Sequence, residues 1–340
     1  MILFIGNMLS KHGLTPAMTE LLAKRMAENY EVKLVSQKRN KLSRLIDMLL
    51  IIYRNRISIN LAVVDVYSSI SFWYVVLCTF LLRLLNLPYI TILRGGNLPD
   101  RLRANPRLCN EIFKNSAVNI SPSGYLKKVF YERGFFVNVV PNFIDLVRYP
   151  FLKRPSFEPR LFWVRSFHKI YNPYLAIEIV MQLKRKYPDA KLCMVGPDKD
   201  GSLLECKKMV LENGLENTVE FTGKLSKDEW IHRSTQYDIF INTTNFDNMP
   251  VSVIESMALG LPVVSTNVGG LPYLIENGKT GILVNREDAA SFVKAIQRLI
   301  SDNDYAQQIA HAARKKAEAF DWEIVKEQWQ NVISRYKTDA

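Results

Sequence analysis

Few features of this sequence suit a disulfide-bonded, metal-binding or membrane-spanning protein. It has four cysteines, none in C-x-x-C spacing, and four histidines that lie far apart in the chain. We therefore expect free thiols of a reducing compartment and no metal site. The longest uncharged apolar run, from Ile70 to Leu82, is shorter than the roughly 18 residues that span a bilayer, and it predicts a core helix.

The amino-terminal residues Met-Ile-Leu-Phe-Ile-Gly lack a basic region and a small-residue cleavage pattern. They predict a buried first strand rather than a secretion signal, and hence a cytoplasmic location. Gly6 follows without the Gly-x-Gly-x-x-Gly pattern of dinucleotide dehydrogenases, and a Walker loop is also missing. No zinc-finger or RNP motif indicates specific nucleic-acid recognition. The acidic pairs Asp198/Asp200 and Asp302/Asp304 favour helix capping over metal binding.

The net charge of +12 is unevenly distributed. Residues 1–150 hold 20 Lys+Arg and 9 Asp+Glu, a balance of +11, whereas residues 151–340 hold 25 and 24, a balance of +1. Because a cationic domain attracts polyanions, a non-catalytic basic protein that binds nucleic acid or phospholipid is a competing hypothesis. The segment from Lys38 to Arg56 joins two basic ends around an apolar stretch. It fits either an interfacial membrane helix or a helix packed on the first sheet.

Apolar runs of strand length alternate with stretches of helical periodicity. The predicted strands are Ile2 to Ile5, Val32 to Ser36, Ala62 to Val66, Tyr89 to Leu93, Ala117 to Ile120, Val137 to Val140, Leu161 to Val164, Lys191 to Val195, Val219 to Thr222, Ile239 to Asn242, Pro262 to Thr266 and Gly281 to Val284. This alternation predicts two doubly wound, Rossmann-like α/β domains with parallel sheets. Three prolines near 150–159 mark a linker. We therefore expect domains at 1–150 and 151–320 that face a central cleft, with a last helix at 321–340 packing back on the first domain.

The loop after the strand ending at Asn242 carries the most chemistry. Pro250 predicts a helix start with Asn248 or Met249 as cap, and Gly260 predicts its end. The amino end of such a helix suits a phosphate, and an acid on each side, Asp247 and Glu255, could hold the sugar hydroxyls of a bound diphosphate. The alternative is that Asp247 caps the helix and that Glu255 is a surface residue.

The motif Asp247-x7-Glu255, followed by Ala-Leu-Gly-Leu-Pro-Val-Val-Ser-Thr and Gly-Gly-Leu-Pro, resembles the donor-site signature of retaining glycosyltransferase family 4, within glycosyl transferases group 1. The usual motif has Glu at both ends, so Asp247 departs from it by one methylene. The resemblance implies a GT-B fold in which Asp247 contacts the transferred sugar and Glu255 the ribose. It also implies that the sugar and diphosphate meet the backbone around Asn248, Met249, Pro250 and Val251.

A second match is the segment after the strand Leu161 to Val164. The family places an arginine here and a lysine five or six residues later, both on the diphosphate. Arg165 fits the first place, and its planar fork can pair two phosphate oxygens as their charge grows. Lys169 stands one residue early for the second place, and His168 is the alternative donor. Asn172-Pro173 predicts the cap and first residue of the next helix.

Softer resemblances fall on other strand ends. In the second domain the family reads the base through loops that match Gly196 and Gly223-Lys224-Leu225. In the first domain, the loop with His12 and Gly13 resembles the family's glycine loop at the diphosphate and acceptor, although a simple turn fits equally well. Arg94-Gly95 stands where relatives often have His-Gly, and it is a candidate for acceptor or phosphate binding.

The resemblance implies an enzyme that moves a sugar from a UDP- or GDP-linked donor to a hydroxyl of a glycan or lipid-linked acceptor, with retention at the anomeric carbon. Such a reaction would belong to cell-surface polysaccharide or glycolipid synthesis, with no cofactor and no metal. In the family, the departing phosphate is thought to take the acceptor proton. The +11 half points to an anionic acceptor or to the inner face of the cytoplasmic membrane, with no specific nucleic acid as partner.

Overall fold

The computed structural model describes residues 1–337, which form two compact units. The first comprises Met1–Asn142 and the segment from Lys326 onward, and the second comprises Phe143–Val325. The division falls before the expected break at 150–151, because the proline-rich segment is packed rather than free. Arg154 is 4% exposed, and its guanidinium donates to the backbone oxygens of Tyr237 and Gly260, both at 3.0 Å.

The first unit is built on a six-stranded parallel sheet with the order β2-β1-β3-β4-β5-β6. Its strands are β1 Ile2–Ile5, β2 Val32–Val35, β3 Leu61–Val66, β4 Tyr89–Leu93, β5 Asn119–Ser121 and β6 Val137–Val139. Its helices are α1 Met18–Met26, α2 Lys41–Arg54, α3 Phe72–Leu84, α4 Leu98–Ala104, α5 Pro106–Lys114 and α6 Gly124–Tyr131. All residues of β1, β3 and β4 are buried, as expected for strands covered on both faces.

The second unit has a parallel sheet with the order β12-β11-β10-β7-β8-β9. The strands are β7 Arg160–Val164, β8 Lys191–Val195, β9 Val219–Gly223, β10 Ile239–Asn242, β11 Val263–Thr266 and β12 Ile282–Val284. The helices are α7 Pro173–Lys184, α8 Ser202–Glu212, α9 Lys227–Ser234, α10 Val251–Ala258, α11 Leu271–Leu274, α12 Ala289–Ser301 and α13 Asn303–Glu318. A last helix, α14 Trp322–Tyr336, begins in this unit and continues into the first.

Each sheet has one place where the strand order reverses. In the second unit the chain starts at the central strand β7, builds outward through β8 and β9, and then returns to β10 on the other side of β7. In the first unit the reversal lies between β1 and β3. Loops that leave the carboxyl ends of two such strands diverge to opposite faces, which opens a crevice where α/β proteins bind ligands. The reversals therefore direct attention to the loops after β7 and β10, and after β1 and β3.

Helix α3 departs from the expected core helix. Phe72 and Cys78 are buried in the core of the first unit, but Trp73 and Phe80 on the opposite side are exposed, so that only one side of an almost wholly apolar helix is covered. Within residues 1–337, no helix combines the length and the apolarity that crossing a membrane requires.

Candidate functional site

Arg165 lies directly after β7, at the reversal of the second sheet. Its backbone N–H donates to the oxygen of Val195 at 3.0 Å, which continues the pairing of β7 with β8 beyond the strand. The side chain is 17% exposed, forms an ion pair with Asp247, and has its guanidinium carbon 4.6 Å from the centre of the Tyr171 ring. The structure thus brings together Arg165 and Asp247, which are far apart in the sequence.

Asp247 belongs to the loop that leaves β10. Its Oδ1 accepts from the N–H of Asn248 at 2.8 Å, and its backbone oxygen accepts from Gly270 at 3.0 Å. Gly269 has φ +53°, and a Cβ there would lie 2.1 Å from the Asp247 oxygen; a Cβ on Gly270 would lie 1.6 Å from the oxygen of Asn248. Only a glycine pair permits this approach, which explains how Gly-Gly-Leu-Pro after β11 fixes the backbone of Asp247.

Glu255 is 2% exposed on α10, so it is not a surface helix residue. Its Oε1 accepts from the hydroxyl of Tyr149 at 2.7 Å and also pairs with the ammonium of Lys227. Lys227 and Tyr149 are functional candidates that sequence reasoning missed. One signal was present for Lys227: a lysine in the first turn of a helix opposes the helix dipole unless a carboxylate faces it.

Burial shifts the pKa values within this cluster. Burial lowers the pKa of Arg165, while Tyr171 and the charge of Glu255 oppose the shift. Burial, reinforced by Glu255, raises the pKa of Tyr149, so Tyr149 stays a neutral donor to that carboxylate.

Helix α10 begins one residue later than expected. Pro250 has extended backbone angles and is the cap, Val251 is the first helical residue, and Asn248 and Met249 are buried in the preceding loop. Asp247 does not cap the helix either, since its side chain bonds the adjacent N–H of Asn248. Among the described residues, the Ser252 hydroxyl in the first turn and the Arg165 Nε are buried without hydrogen-bond partners. Two unsatisfied donors therefore lie at this reversal, one in the loop after β7 and one in the first turn of α10.

The other residues predicted for donor binding lie on the neighbouring strand ends. A Cβ on Gly196 would lie 1.8 Å from the backbone oxygen of Arg165, so glycine is needed for the loop after β8 to pass this residue. The N–H of Gly196 donates to the oxygen of Gly223 at 2.8 Å. Lys224 is exposed, and Leu225 is half-buried against the core. The carboxyl ends of β7, β8 and β9 are thereby linked.

Lys169 does not join this cluster. Its ammonium lies at an exposed position 3.9 Å from Glu205 of α8. His168 caps the one-turn helix Lys169–Tyr171, because its ring accepts from the N–H of Ile170 at 3.1 Å. Both side chains have structural partners.

In the first unit the expected acceptor residues separate into two groups. His12 ends the one-turn helix Ser10–His12, and a ring nitrogen lies 2.8 Å from the backbone oxygen of Gln37. Gly13 follows at φ +77°, exposed. His12 lines a cavity of about 510 Å³ together with Lys11, Lys38 and Arg39.

Arg94 and Gly95 lie at the end of β4, in the other group. The guanidinium of Arg94 donates to Asp65 at 3.1 Å, to Asn142 at 2.8 Å and to Thr19 at 3.2 Å. These partners satisfy Arg94 inside the unit, which argues against a free guanidinium at an acceptor, and we assign it a structural role. A Cβ on Gly95 would lie 2.6 Å from the N–H nitrogen of Ser68, so this glycine serves loop packing.

The described residues contain no group of three His, Cys, Asp or Glu side chains arranged to hold a metal ion. What the second unit offers instead is an arginine, two carboxylates and a helix amino end at one sheet reversal. These groups suit a polar, anionic ligand with hydroxyls.

The two-sheet α/β architecture is that of GT-B glycosyltransferase structures, which confirms the expected fold class. Superposition on HepE of Anabaena in complex with UDP gives a TM-score of 0.77 at 17% identity, covering 98% of this chain and 99% of that chain. Superposition on sucrose-phosphate synthase of Thermosynechococcus elongatus gives 0.80 at 16% identity, covering 98% of each. At these identities the likeness concerns the fold.

Residues 151–316 match the family described as glycosyl transferases group 1. The sulfoquinovosyl transferase of Arabidopsis thaliana is 31% identical over 150 residues, 43% of this chain and 28% of that protein. Glycogen synthase of Mycobacterium tuberculosis is 27% identical over 194 residues, 56% of this chain and 46% of that protein. The matched segments thus span less than half the length of these relatives.

Proposed function

We propose that the protein is a glycosyltransferase that takes a sugar from a UDP- or GDP-linked donor bound in the second unit and transfers it to an acceptor hydroxyl with retention. The observation that carries the proposal is the meeting of Arg165, Asp247 and Glu255 at the β7/β10 reversal. HepE, a structural neighbour, has been crystallised with UDP and with UDP-glucose.

The roles follow from charge and position. Arg165 exchanges its pairing with Asp247 for the donor diphosphate, and the Ser252 hydroxyl gains an oxygen acceptor there. Asp247, released from Arg165, accepts from the sugar hydroxyls. Both protein bonds to Glu255 go to Oε1, so Oε2 accepts from the ribose while Tyr149 and Lys227 hold the carboxylate in place. The backbone around residues 248–251, the glycine loops at Gly196 and Gly223, and Lys224 and Leu225 complete the donor site.

In the reaction the bond from the anomeric carbon to the diphosphate oxygen breaks, and a bond to the acceptor oxygen forms on the same face. The acceptor proton passes to the departing phosphate. Arg165 stabilises the charge that grows on the diphosphate, so its contribution is larger in the transition state than in the ground state. Neither a metal nor a cofactor has a part in this scheme. The acceptor we propose is an anionic or lipid-linked glycan, because the first unit is strongly basic.

Replacing Arg165 tests the proposal. With radiolabelled UDP- and GDP-sugars, we expect Arg165→Ala to lower kcat by about 10²- to 10³-fold, since a preorganised charge at the leaving group is lost. The matched control is Arg160→Ala at the opposite end of the same strand, whose partner Asp238 is also within 3.5 Å of Arg154. The control should retain its turnover.

Donor binding is measured separately, by the melting temperature with UDP, GDP or ADP. A ligand that binds only the folded state raises the melting temperature, and Arg165→Ala should weaken that rise. If none of the three nucleotides shifts the wild-type protein, the donor-site proposal fails and the basic, non-catalytic binder becomes the better hypothesis.

A further inference from the structure

Helices α2 and α3 pack side by side on the first sheet and present apolar side chains to solvent. The hydroxyl of Tyr74 on α3 donates to the Lys41 oxygen of α2 at 3.2 Å, and Met48 and Val75 are buried in one core cluster. The side chains turned away from that core are exposed. They are Leu42, Ile46, Leu50 and Tyr53 of α2, Ile57 after it, and Trp73, Leu77, Phe80 and Leu84 of α3. We call these nine residues the α2–α3 face.

The spacing shows that this exposure is a property of the helices. On α2 the apolar residues recur at intervals of four, four and three, and on α3 at four, three and four, so each set forms one stripe along its helix. The opposite stripe of each helix is already buried. Each helix therefore has one apolar stripe in the core and a second one in solvent. An exposed apolar patch of this kind marks an interaction surface, because it is stable only when another apolar surface covers it.

The exposed charges on α2 and on the segments that flank it are basic, whereas Arg83 of α3 pairs with Glu111 of α5. Lys38, Arg39, Lys41, Arg54 and Arg56 flank the α2–α3 face and are exposed. The single acid on α2, Asp47, accepts from the Ser36 hydroxyl, and from residue 48 to residue 99 the only acid is Asp65, which is buried. Such a surface attracts an anionic partner and repels a second copy of itself.

The basic turn before α2 is held in place by a buried arginine. Arg44 donates through Nε to the Lys38 oxygen at 2.8 Å, through Nη2 to the Arg39 oxygen at 2.9 Å, and through Nη1 to the Asn7 side chain at 2.8 Å. With the backbone fixed, the side chains of Lys38 and Arg39 line the cavity of about 510 Å³ beside His12 and Lys11. Lipid phosphates at the edge of the face would meet the cationic side chains of Lys11, Lys38 and Arg39 there.

We propose that the α2–α3 face docks on a bilayer containing anionic phospholipid, with its apolar side chains inserted among the headgroups and its basic flanks on the lipid phosphates. Trp73 and Tyr53 are the side chains that favour this interface, because each combines an apolar ring with a polar group. The sequence motif Lys38–Arg56 contributes one half of the surface, and α3, expected to be a core helix, contributes the other. This binding goes beyond the proposed sugar transfer and is measured without a donor.

The protein carries a probe at this position. Of its five tryptophans, all within the described residues, Trp73 is 46% exposed and the other four are at most 3% exposed. Adding vesicles of phosphatidylcholine and phosphatidylglycerol to the full chain should shift Trp73 emission to shorter wavelength, and brominated lipid should quench it. Trp73→Phe should abolish the shift while cosedimentation with the vesicles persists.

Two sets of variants test the face. Leu50→Glu combined with Phe80→Glu should weaken vesicle binding at least about tenfold, because two charges would enter the apolar layer. The matched control is Leu204→Glu with Leu211→Glu, two exposed leucines on α8 of the second unit. Replacing Lys41, Arg54 and Arg56 by Gln should weaken binding about fivefold per charge at low salt.

Two results would overturn the proposal. One is vesicle binding that is equally strong in Leu50→Glu/Phe80→Glu and in the control Leu204→Glu/Leu211→Glu, or that does not depend on the charge of the lipid. The other is self-association measured by light scattering without lipid, lost in Leu50→Glu/Phe80→Glu, with no vesicle binding by the wild type; the face would then join two copies. Melting temperatures of all variants verify folding, and the transfer assay with a soluble acceptor separates this outcome from failure of the proposed enzyme activity.

Discussion

Asp65 is fully buried at the end of β3, and Arg94 is the cation that faces it. Arg94→Met should lower the free energy of unfolding by about 3–5 kcal/mol, because it leaves a buried carboxylate without its partner. Urea unfolding measures this loss. Arg103→Met, at an exposed position, is the control and should change stability little. A stable Arg94→Met protein with impaired acceptor use would instead return Arg94 to the acceptor site.

The same pair has a pH signature. Burial raises the pKa of Asp65 above its ordinary value, and Arg94 opposes the shift. A carboxyl with a raised native pKa lends full stability below its unfolded pKa and loses it as pH rises through the native one. Without Arg94 the native pKa is higher still. The stability gap between wild type and Arg94→Met should therefore widen from below pH 4 towards neutrality, and a constant gap would contradict this account.

At the level of single residues, the sequence indicated Asp247, Glu255 and Arg165 as candidates, because they stand at recognisable positions after strands and in a helix. Their assignment to a donor site stays a prediction. The sequence did not indicate their partners. Tyr149 and Glu255 are 106 residues apart and Lys227 and Glu255 are 28 apart, and hydrogen bonds at such separations depend on the register of the whole sheet. The partners of Arg94 were not predictable for the same reason, since Thr19, Asp65 and Asn142 come from three separate segments.

Among the elements, α7 has a cap that the sequence predicted. Asn172 adopts φ +46°, and its side chain accepts from the N–H of Leu175 at 3.3 Å. Asn172→Ala should cost about 1–2 kcal/mol, because the acceptor is lost and alanine is strained at positive φ. Asn172→Gly, which removes the cap but tolerates the angle, should cost only a few tenths. Urea unfolding compares the two, and equal losses would mean that the angle is not the reason for asparagine.

Strands were predictable where both of their faces are apolar, as in β1, β4 and β8. The predicted bounds were wrong for β5, which comprises Asn119–Ser121 instead of Ala117 to Ile120. Asn119 is buried because its side chain accepts from Thr91 at 2.7 Å and donates to the oxygens of Phe113 and Phe136 at 3.0 Å. A hydrophobic pattern does not predict that a polar residue is buried when its hydrogen-bond partners come from other segments. Helix α3 has the opposite problem, because its residues are almost all apolar and the pattern does not predict which side is exposed.

Across the whole molecule the four thiols are buried, two in each unit. Burial raises the pKa of Cys78 and Cys206 to about 12 and that of Cys109 and Cys193 to about 11. Since the thiolate is the reactive form, Ellman's reagent at pH 8 should label none in the native protein and four in denaturant. At intermediate denaturant concentrations, mass spectrometry of the labelled cysteines shows which of the two units has unfolded. Rapid labelling of a native thiol would show that its surroundings open.

The basic excess is divided more sharply between the two observed units than between the two halves predicted from a break at residue 150. Counting the segment from Lys326 with the first unit gives it 22 basic and 10 acidic residues, a balance of +12, and gives the second unit 23 of each. The second unit is neutral, so in the proposed donor site local groups such as Arg165 and the α10 amino end would have to attract the nucleotide. Long-range attraction of anions belongs to the first unit.

The discontinuous first unit also has a consequence for synthesis on the ribosome. Trp329 and Ile333 of α14 are buried, and Lys337 lies over the ring of Tyr30, near the beginning of the chain. Domains usually fold in the order in which they emerge. Here residues 1–142 emerge first but lack this helix until all of 143–325 has been translated. The earlier unit is thus completed last, and until then the nascent chain exposes the surface that α14 will cover.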